Sequence, residues 1–279
     1  MANITVCLFN GIGNTVMVSP LVESLRSLGY TISFLIHPSG KNLVHMVSGF
    51  EYSIGKRTTG LSAVPTLWRR CYPIERMPVS SEQILADDLD PKKSHESEAN
   101  MTIARKLGYE GKTPHPRIYG VKPKENDTIV IATGCRPENQ WRKKKYWHWK
   151  HLCEMIAEKH KLSFLGVGSE SSGWMDELGE NYCGKLTLPE SIDWIAGSKG
   201  MVAIDNGLAH ISAALNKNTN VIFGPTLEVK NKPLGDKVKV ITSNITCSPC
   251  QLTSRWNACQ EWECMDIEPE KVFERLVLC

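Results

Sequence analysis

A chain of 279 residues, 41% hydrophobic and 23% charged, has the composition of a folded globular protein and excludes a disordered or fibrous one. The formal net charge of +3 is too small to imply nucleic acid or a membrane surface as the main partner, and no apolar run approaches the roughly 20 residues of a membrane span. The length suits one large domain or two smaller ones of roughly 100–150 residues.

The first residues carry no basic leader and pass straight into a strand-like run, Ile4 to Phe9, so no signal peptide is expected. Asn10-Gly11-Ile12-Gly13-Asn14 ends that run. Val16, Val18, Leu21, Val22, Leu25 and Leu28 then recur at helical spacing, Gly29 takes the usual stop position, and Thr31 to Ile36 reads as a second strand. Such a β-loop-α-β start implies a parallel sheet with right-handed crossovers. Lys56 to Pro78 shows no clean period, Lys92 to Leu107 reads as a polar helix, and the Gly- and Pro-rich stretch Gly108 to Lys124 is the expected linker. A second alternating series follows. Strands are expected at Thr128 to Ala132, Leu162 to Val167, Met201 to Ile204 and Val221 to Phe223, and helices at Trp147 to His160, Ser191 to Ala196 and Asn206 to Leu215. The alternation predicts an α/β protein of two Rossmann-like lobes, residues 1–115 and 116–279, with ligands at the carboxyl ends of the strands.

Ala203-Ile204-Asp205-Asn206-Gly207-Leu208-Ala209-His210, running on to Ile222-Phe223-Gly224-Pro225-Thr226, is the most informative stretch. A glycine-containing turn between a strand and a helix presents N–H groups at the positive helix end, which suits a phosphate or diphosphate. The alternative is an ordinary turn capped by Asp205 or Asn206. The pattern D-x-G-L-[AS]-H with a following F-G-P-T resembles the donor-binding signature of glycosyltransferase family 9, which includes the ADP-heptose heptosyltransferases of lipopolysaccharide synthesis. The resemblance covers the opening loop and nearly all of the second half. It implies a GT-B architecture, with the two parallel sheets facing a central cleft. It also implies an inverting transfer of a sugar, a heptose among them, from an ADP-type nucleotide-sugar donor to an acceptor hydroxyl, by default on a lipopolysaccharide or surface glycan. The implied location is the cytoplasm, at the inner face of the membrane for a lipid-linked acceptor. No cofactor is needed for catalysis in transferases of this kind.

On this resemblance Asp205, Asn206, Gly207 and His210 belong to the donor site, with Asp205 orienting the loop by capping or contacting a sugar hydroxyl. Two further loops join them. Thr133-Gly134-Cys135-Arg136 leads to Lys143-Lys144-Lys145-Tyr146-Trp147, where Lys145 stands where family members place a cation for the diphosphate. Such a charge suits a leaving group whose negative charge grows as the glycosidic bond breaks. Lys143 and Lys144 read as a solvated face. Gly166-Val167-Gly168-Ser169-Glu170 supplies the third loop, where Glu170 either accepts from the donor ribose or faces solvent.

Gly11-Ile12-Gly13-Asn14-Thr15-Val16-Met17-Val18-Ser19-Pro20 resembles the family's opening loop, whose glycines, Gly11 and Gly13, let the backbone approach the donor. The heptosyltransferases carry an Asp general base at the fourth position. Asn14 stands there instead, and an amide cannot take a proton near neutral pH. Another carboxylate supplies the base, with Asp88 the named candidate beside Asp87 and Asp90, or departure of the leaving group makes the base dispensable. The plain alternative is that Asn14 caps a helix starting near Thr15.

Six of the ten cysteines are scattered, but Cys247, Cys250, Cys259 and Cys264 form C-x2-C-x8-C-x4-C beside Trp256 and Trp262. The spacing is compatible with a four-thiolate structural zinc or iron site, with free buried thiols, or with disulfides. Some protein-modifying relatives in the family use such a cluster to bind iron. Two other readings of the chain stay open: transfer to a protein side chain or modified nucleobase, and a catalytically inactive nucleotide- or nucleic-acid-binding module. The features behind the last are Arg142 to Lys145 and their flanking Trp141, Trp147 and Trp149.

Overall fold

The structure, a computed structural model, describes residues 2–9, 11–47, 49–56, 60–71, 82–135 and 139–278. Contacts divide the chain into Met1–Gly120 and Val121–Cys279. The expected division after residue 115 moves because the end of the expected linker packs on the first unit. The Arg117 amide donates to Ser19 Oγ at 2.9 Å, and the Tyr119 hydroxyl donates to Glu23.

In the first unit β1 (Asn3–Leu8), β2 (Thr31–Ile36), β3 (Glu51–Ile54), β4 (Leu61–Val64) and β5 (Gln83–Leu85) pair in parallel in the order β3-β2-β1-β4-β5. The helices are α1 (Ile12–Ser27), α2 (Thr66–Cys71) and α3 (Glu96–Lys106), and α3 packs on α1. Ile4, Val6, Leu21, Leu25, Phe34, Met101 and Ile103 form the centre of its core. α1 begins at Ile12, directly after Gly11 at φ 90°, a left-handed conformation that glycine adopts without a Cβ penalty. Asn14 therefore lies inside the first turn and does not cap a helix starting near Thr15. Pro20 interrupts the ladder of α1 by lacking an N–H; Ser19 Oγ donates to Val16 O at 2.7 Å and satisfies the carbonyl that Pro20 leaves.

The second unit holds β6 (Thr128–Ala132), β7 (Lys161–Phe164), β8 (Gly179–Asn181), β9 (Gly200–Ile204), β10 (Asn218–Ile222) and β11 (Val238–Ile241) in the order β11-β10-β9-β6-β7-β8, again parallel. Every residue of β6 and β9 is buried, as expected of central parallel strands covered on both faces. α4 (Trp149–Ala157), α5 (Gly173–Leu178), α6 (Leu188–Gly197) and α7 (Gly207–Ala214) alternate with the strands. A capping box of Thr187 and Glu190 with Pro189 in the first turn starts α6. Three short helices complete the unit: α8 (Glu228–Asn231), α9 (Arg255–Ala258) and α10 (Pro269–Phe273). The core gathers Ile129, Ile131, Leu152, Ile156, Phe164, Ile204 and Ile222. Strand order reverses between β6 and β9, and such a switch point opens a crevice at the carboxyl ends of the strands.

Candidate functional site

The loops after β6 and β9 flank that switch point, and the loop after β7 lies beside them. Asn206 joins the first two. Its Oδ1 accepts from the Ala209 amide at 3.0 Å as the N-cap of α7, while its Nδ2 donates to Ala132 O at 3.2 Å and Gly134 O at 3.0 Å. The cap is thus Asn206, not Asp205. The amides of Gly207 and Leu208, in the first turn of α7, have no carbonyl one turn earlier to bond within the helix. His210 is buried in the same helix.

Asp205 has a different task from capping. It is 7% exposed, and Lys144 Nζ donates to its backbone oxygen at 2.5 Å and lies 3.4 Å from its carboxylate. Lys144 also sits over the Trp141 ring, 5.1 Å from its centroid. Lys143 is buried, with Nζ 5.4 Å from the Trp256 ring centre. The solvated-face reading of these two lysines is therefore corrected. Asn139–Lys144 is a single tight 3-10 stretch whose side chains step round the axis, so three consecutive lysines cannot share one face. The adjacent tryptophans are the cue in the sequence that the run is more than a solvated face, but they do not single out Lys144. Lys145 is exposed and its charge reaches Glu170.

Glu170 does not simply face solvent. Its carboxylate lies over Gly134, in the space that a Cβ there would need. Burial pushes its pKa up to about 7, opposed by the Lys145 charge and by hydrogen bonds from the Cys135 and Val167 amides. Gly134 and Glu170 thus meet beside Asn206, with Thr133 next in the chain to Gly134 and the Lys145 charge acting on the carboxylate. Arg136 lies outside the described residues.

Gly11, Gly13 and Asn14 lie in the first unit, at the carboxyl end of β1. The candidate bases there are committed to partners. Lys106 holds Asp87 at 2.6 Å, Arg70 holds Asp88 at 3.4 Å, and Asp90 accepts from the Lys92 amide at 2.9 Å. Arg70 also pairs with the buried Glu96 at 3.3 Å.

Cys247, Cys250, Cys259 and Cys264 line one small pocket together with Lys143 and Pro225. All four are free thiols, so no disulfide joins the cluster. Burial, then the other three thiols, push Cys264 up to about 12. Among the described residues no three His, Cys, Asp or Glu side chains are already set as a ligand group. Four convergent thiols nevertheless have the chemistry and number of a tetrahedral site that closes on its ion. The segment is anchored on the loop after β10. The Cys250 and Gln251 amides donate to Pro225 O at 3.1 and 2.9 Å, and Ser248 Oγ donates to Gly224 O at 2.6 Å. Gly224-Pro225 of the F-G-P-T stretch is therefore the seat of the cysteine knuckle.

The tryptophans flanking the basic run are engaged with other rings or buried, although Trp147 keeps 55% exposure. Trp149 is buried, Trp141 meets Trp256, and Trp147 lies against Trp262. Among the described residues no helix is long and apolar enough to cross a membrane.

The sequence profile of Glycosyltransferase family 9 (heptosyltransferase) matches residues 72–259, more than half of the chain. Lipooligosaccharide heptosyltransferase 2 of Haemophilus influenzae is 32% identical over 116 residues, which cover 38% of this chain and 33% of that protein. The chain spans about a third to a half of the length of the first curated relatives it matches. ADP-heptose lps heptosyltransferase II of E. coli superposes with a TM-score of 0.71 at 16% identity, covering 99% of this chain and 97% of that one. The iron-containing dodecameric glycosyltransferase TibC of enterotoxigenic E. coli superposes with a TM-score of 0.65 at 12% identity, covering 97% and 74%. These superpositions show the GT-B fold of two parallel-sheet units. The chain belongs to glycosyltransferase family 9, the heptosyltransferase family.

Proposed function

We propose that the protein is a glycosyltransferase that moves a heptose from a nucleoside diphosphate, ADP, to a hydroxyl of a lipopolysaccharide-type acceptor, with inversion at the anomeric carbon. The observation that supports this reading is the nook at the β6/β9 switch point, where the Asn206-capped turn, Gly134 and Glu170 meet and the Lys145 charge reaches Glu170. Support for ADP-heptose comes from the structural likeness to the ADP-heptose lps heptosyltransferase II of E. coli. First-turn amides of α7 and the Lys145 ammonium take the diphosphate, Glu170 accepts from ribose hydroxyls, and Asp205, held by Lys144, faces the sugar. As the bond from the anomeric carbon to the phosphate oxygen breaks, its electron pair leaves on ADP, and the charge is met by Lys145 and the helix end. The acceptor oxygen bonds the opposite face of that carbon and releases its proton late, to water, because Asn14 cannot take it. Asn14 positions the acceptor hydroxyl by hydrogen bonding. The reaction site lies in the cytoplasm.

The donor turn itself calls for no cofactor. Cys247, Cys250, Cys259 and Cys264 would hold a structural zinc or iron, whose contribution is to staple the segment after β11. The likeness to the iron-containing TibC supports iron. Calorimetry with ADP tests the donor site: wild-type protein binds, and Lys145→Ala weakens binding by a charge-assisted contact of about 1.5–3 kcal/mol. Unchanged affinity in that variant removes Lys145 from the site.

A further inference from the structure

Two tryptophans of the cysteine segment reach back to the lysine loop. Trp262 stacks on Trp147 with ring centroids 5.9 Å apart and planes 10° from parallel, and Trp256 meets Trp141 edge-on at 5.9 Å and 69°. Lys143 is buried against Trp256. Just beyond, the Tyr146 hydroxyl donates to Ile267 O at 2.8 Å and His148 Nε2 lies 2.6 Å from the Asp266 carboxylate. Residues 141–148 are thus gripped along their length by residues 256–267.

The same loop grips the donor turn from its other side. Lys144 binds Asp205, and the Trp141 carbonyl accepts from Cys135 Sγ at 3.1 Å. Apart from these contacts the loop has a short 3-10 stretch that ends at Lys144, a geometry with poor internal hydrogen bonds, and Trp147 beyond it is 55% exposed. Its conformation is therefore imposed by its neighbours. Preorganised charge is what makes a phosphate site effective, since a lysine that must first be ordered gives up part of its binding energy.

We propose that Trp256 and Trp262 are positioning residues for the donor diphosphate: the cysteine segment clamps the 141–148 loop and so aims Lys144 and Lys145 at the turn before α7. The inference rests on the proposed nucleotide site. It extends that site to a wall made of residues that touch no ligand. Glu170 stands on a different loop and, among the described residues, meets the clamped loop only through the Lys145 charge and Cys135, so the nucleoside end of the site loses less than the diphosphate end when the clamp is cut.

Calorimetry with ADP and with adenosine on the full chain tests this. Trp262→Ala and Trp256→Ala each weaken ADP about tenfold and flatten its salt dependence, while adenosine stays within about twofold. Trp262→Phe keeps a stacking ring and restores most of the ADP affinity. Trp147→Ala removes the same stack from its exposed side and reproduces the loss, which keeps the test available should an inner variant fail to fold. Unchanged ADP affinity in the alanine variants overturns the clamp, and so does an equal loss for adenosine and ADP. Wild-type protein that binds no ADP overturns the nucleotide site instead, a distinct outcome.

Discussion

Lys144→Met gives the sharpest test of how the donor turn is held. The lysine and Asp205 side chains are 13% and 10% exposed, with Nζ 2.5 Å from the Asp205 carbonyl oxygen and 3.4 Å from its carboxylate. Methionine keeps the stem and its packing on Trp141 but removes the charge, leaving a nearly buried carboxylate alone. Breaking a fully buried pair this way costs about 3–5 kcal/mol. The residual exposure lets water reach the carboxylate, so about 2–3 kcal/mol is expected here. Adding Asp205→Asn removes the orphaned charge and returns roughly half of that loss, a coupling that a double-mutant cycle reads directly. Urea unfolding followed by tryptophan fluorescence measures the stability, because the Trp141 ring lies 5.1 Å from Lys144 Nζ. ADP titration on the same variants reads the site: an unpaired carboxylate beside the diphosphate lowers affinity about tenfold. An unchanged urea midpoint in Lys144→Met, or a double variant less stable than the sum of the singles, refutes the pairing as the device that holds the turn.

Three further outcomes follow from the same geometry. Glu170 has a folded-state pKa of about 7 against an ordinary 4.5, so the folded state binds its proton more tightly. Stability from this group is fullest below pH about 4.5 and declines as pH rises to about 7. Discounted for its partial exposure, the loss is about 1–2 kcal/mol, and Glu170→Gln, which cannot ionise, gains on wild type across that window in melting experiments. Purified protein carries close to one zinc or iron per chain by elemental analysis, lost in Cys250→Ser; freshly reduced wild-type protein without metal ends that reading. Asn14→Ala lowers kcat more than Asn14→Asp does if the amide positions the acceptor. A rise in kcat for Asn14→Asp, toward the about 10²–10⁴-fold of a general base, shows instead a tolerated missing base.

Much of this fold was legible because central parallel strands are continuous apolar runs. β1, β2, β6 and β9 stand out for that reason, and the expected helix after β9 begins one residue after Asn206. The edge strands were not legible. β5 is three half-buried residues, and β8 is Gly-Glu-Asn, held by pairing with β7 rather than by any propensity of its own. The start of α1 was misjudged because Gly11, Gly13 and Asn14 read as a loop, while the left-handed turn at Gly11 lets the helix begin at Ile12.

The site was legible in its glycines and its Asn206-Gly207 turn, where local chemistry dictates local geometry. It was not legible in the lysine run. Spacing cannot say that Lys144 turns inward to Asp205, a residue far along the chain, or that Trp262 lies against Trp147. Those are tertiary contacts between segments that share no period. The cysteine spacing named four thiols, and the structure adds that the loop after β10 seats them.

The central claim is donor use, and one assay meets it directly: incubation with ADP-heptose and a heptose-lacking lipopolysaccharide acceptor, following ADP release and acceptor mass together. The account predicts one ADP released for each heptose gained by the acceptor, with turnover strongly reduced in Lys145→Ala. ADP-heptose left intact with this acceptor, together with no calorimetric signal for ADP, contradicts it.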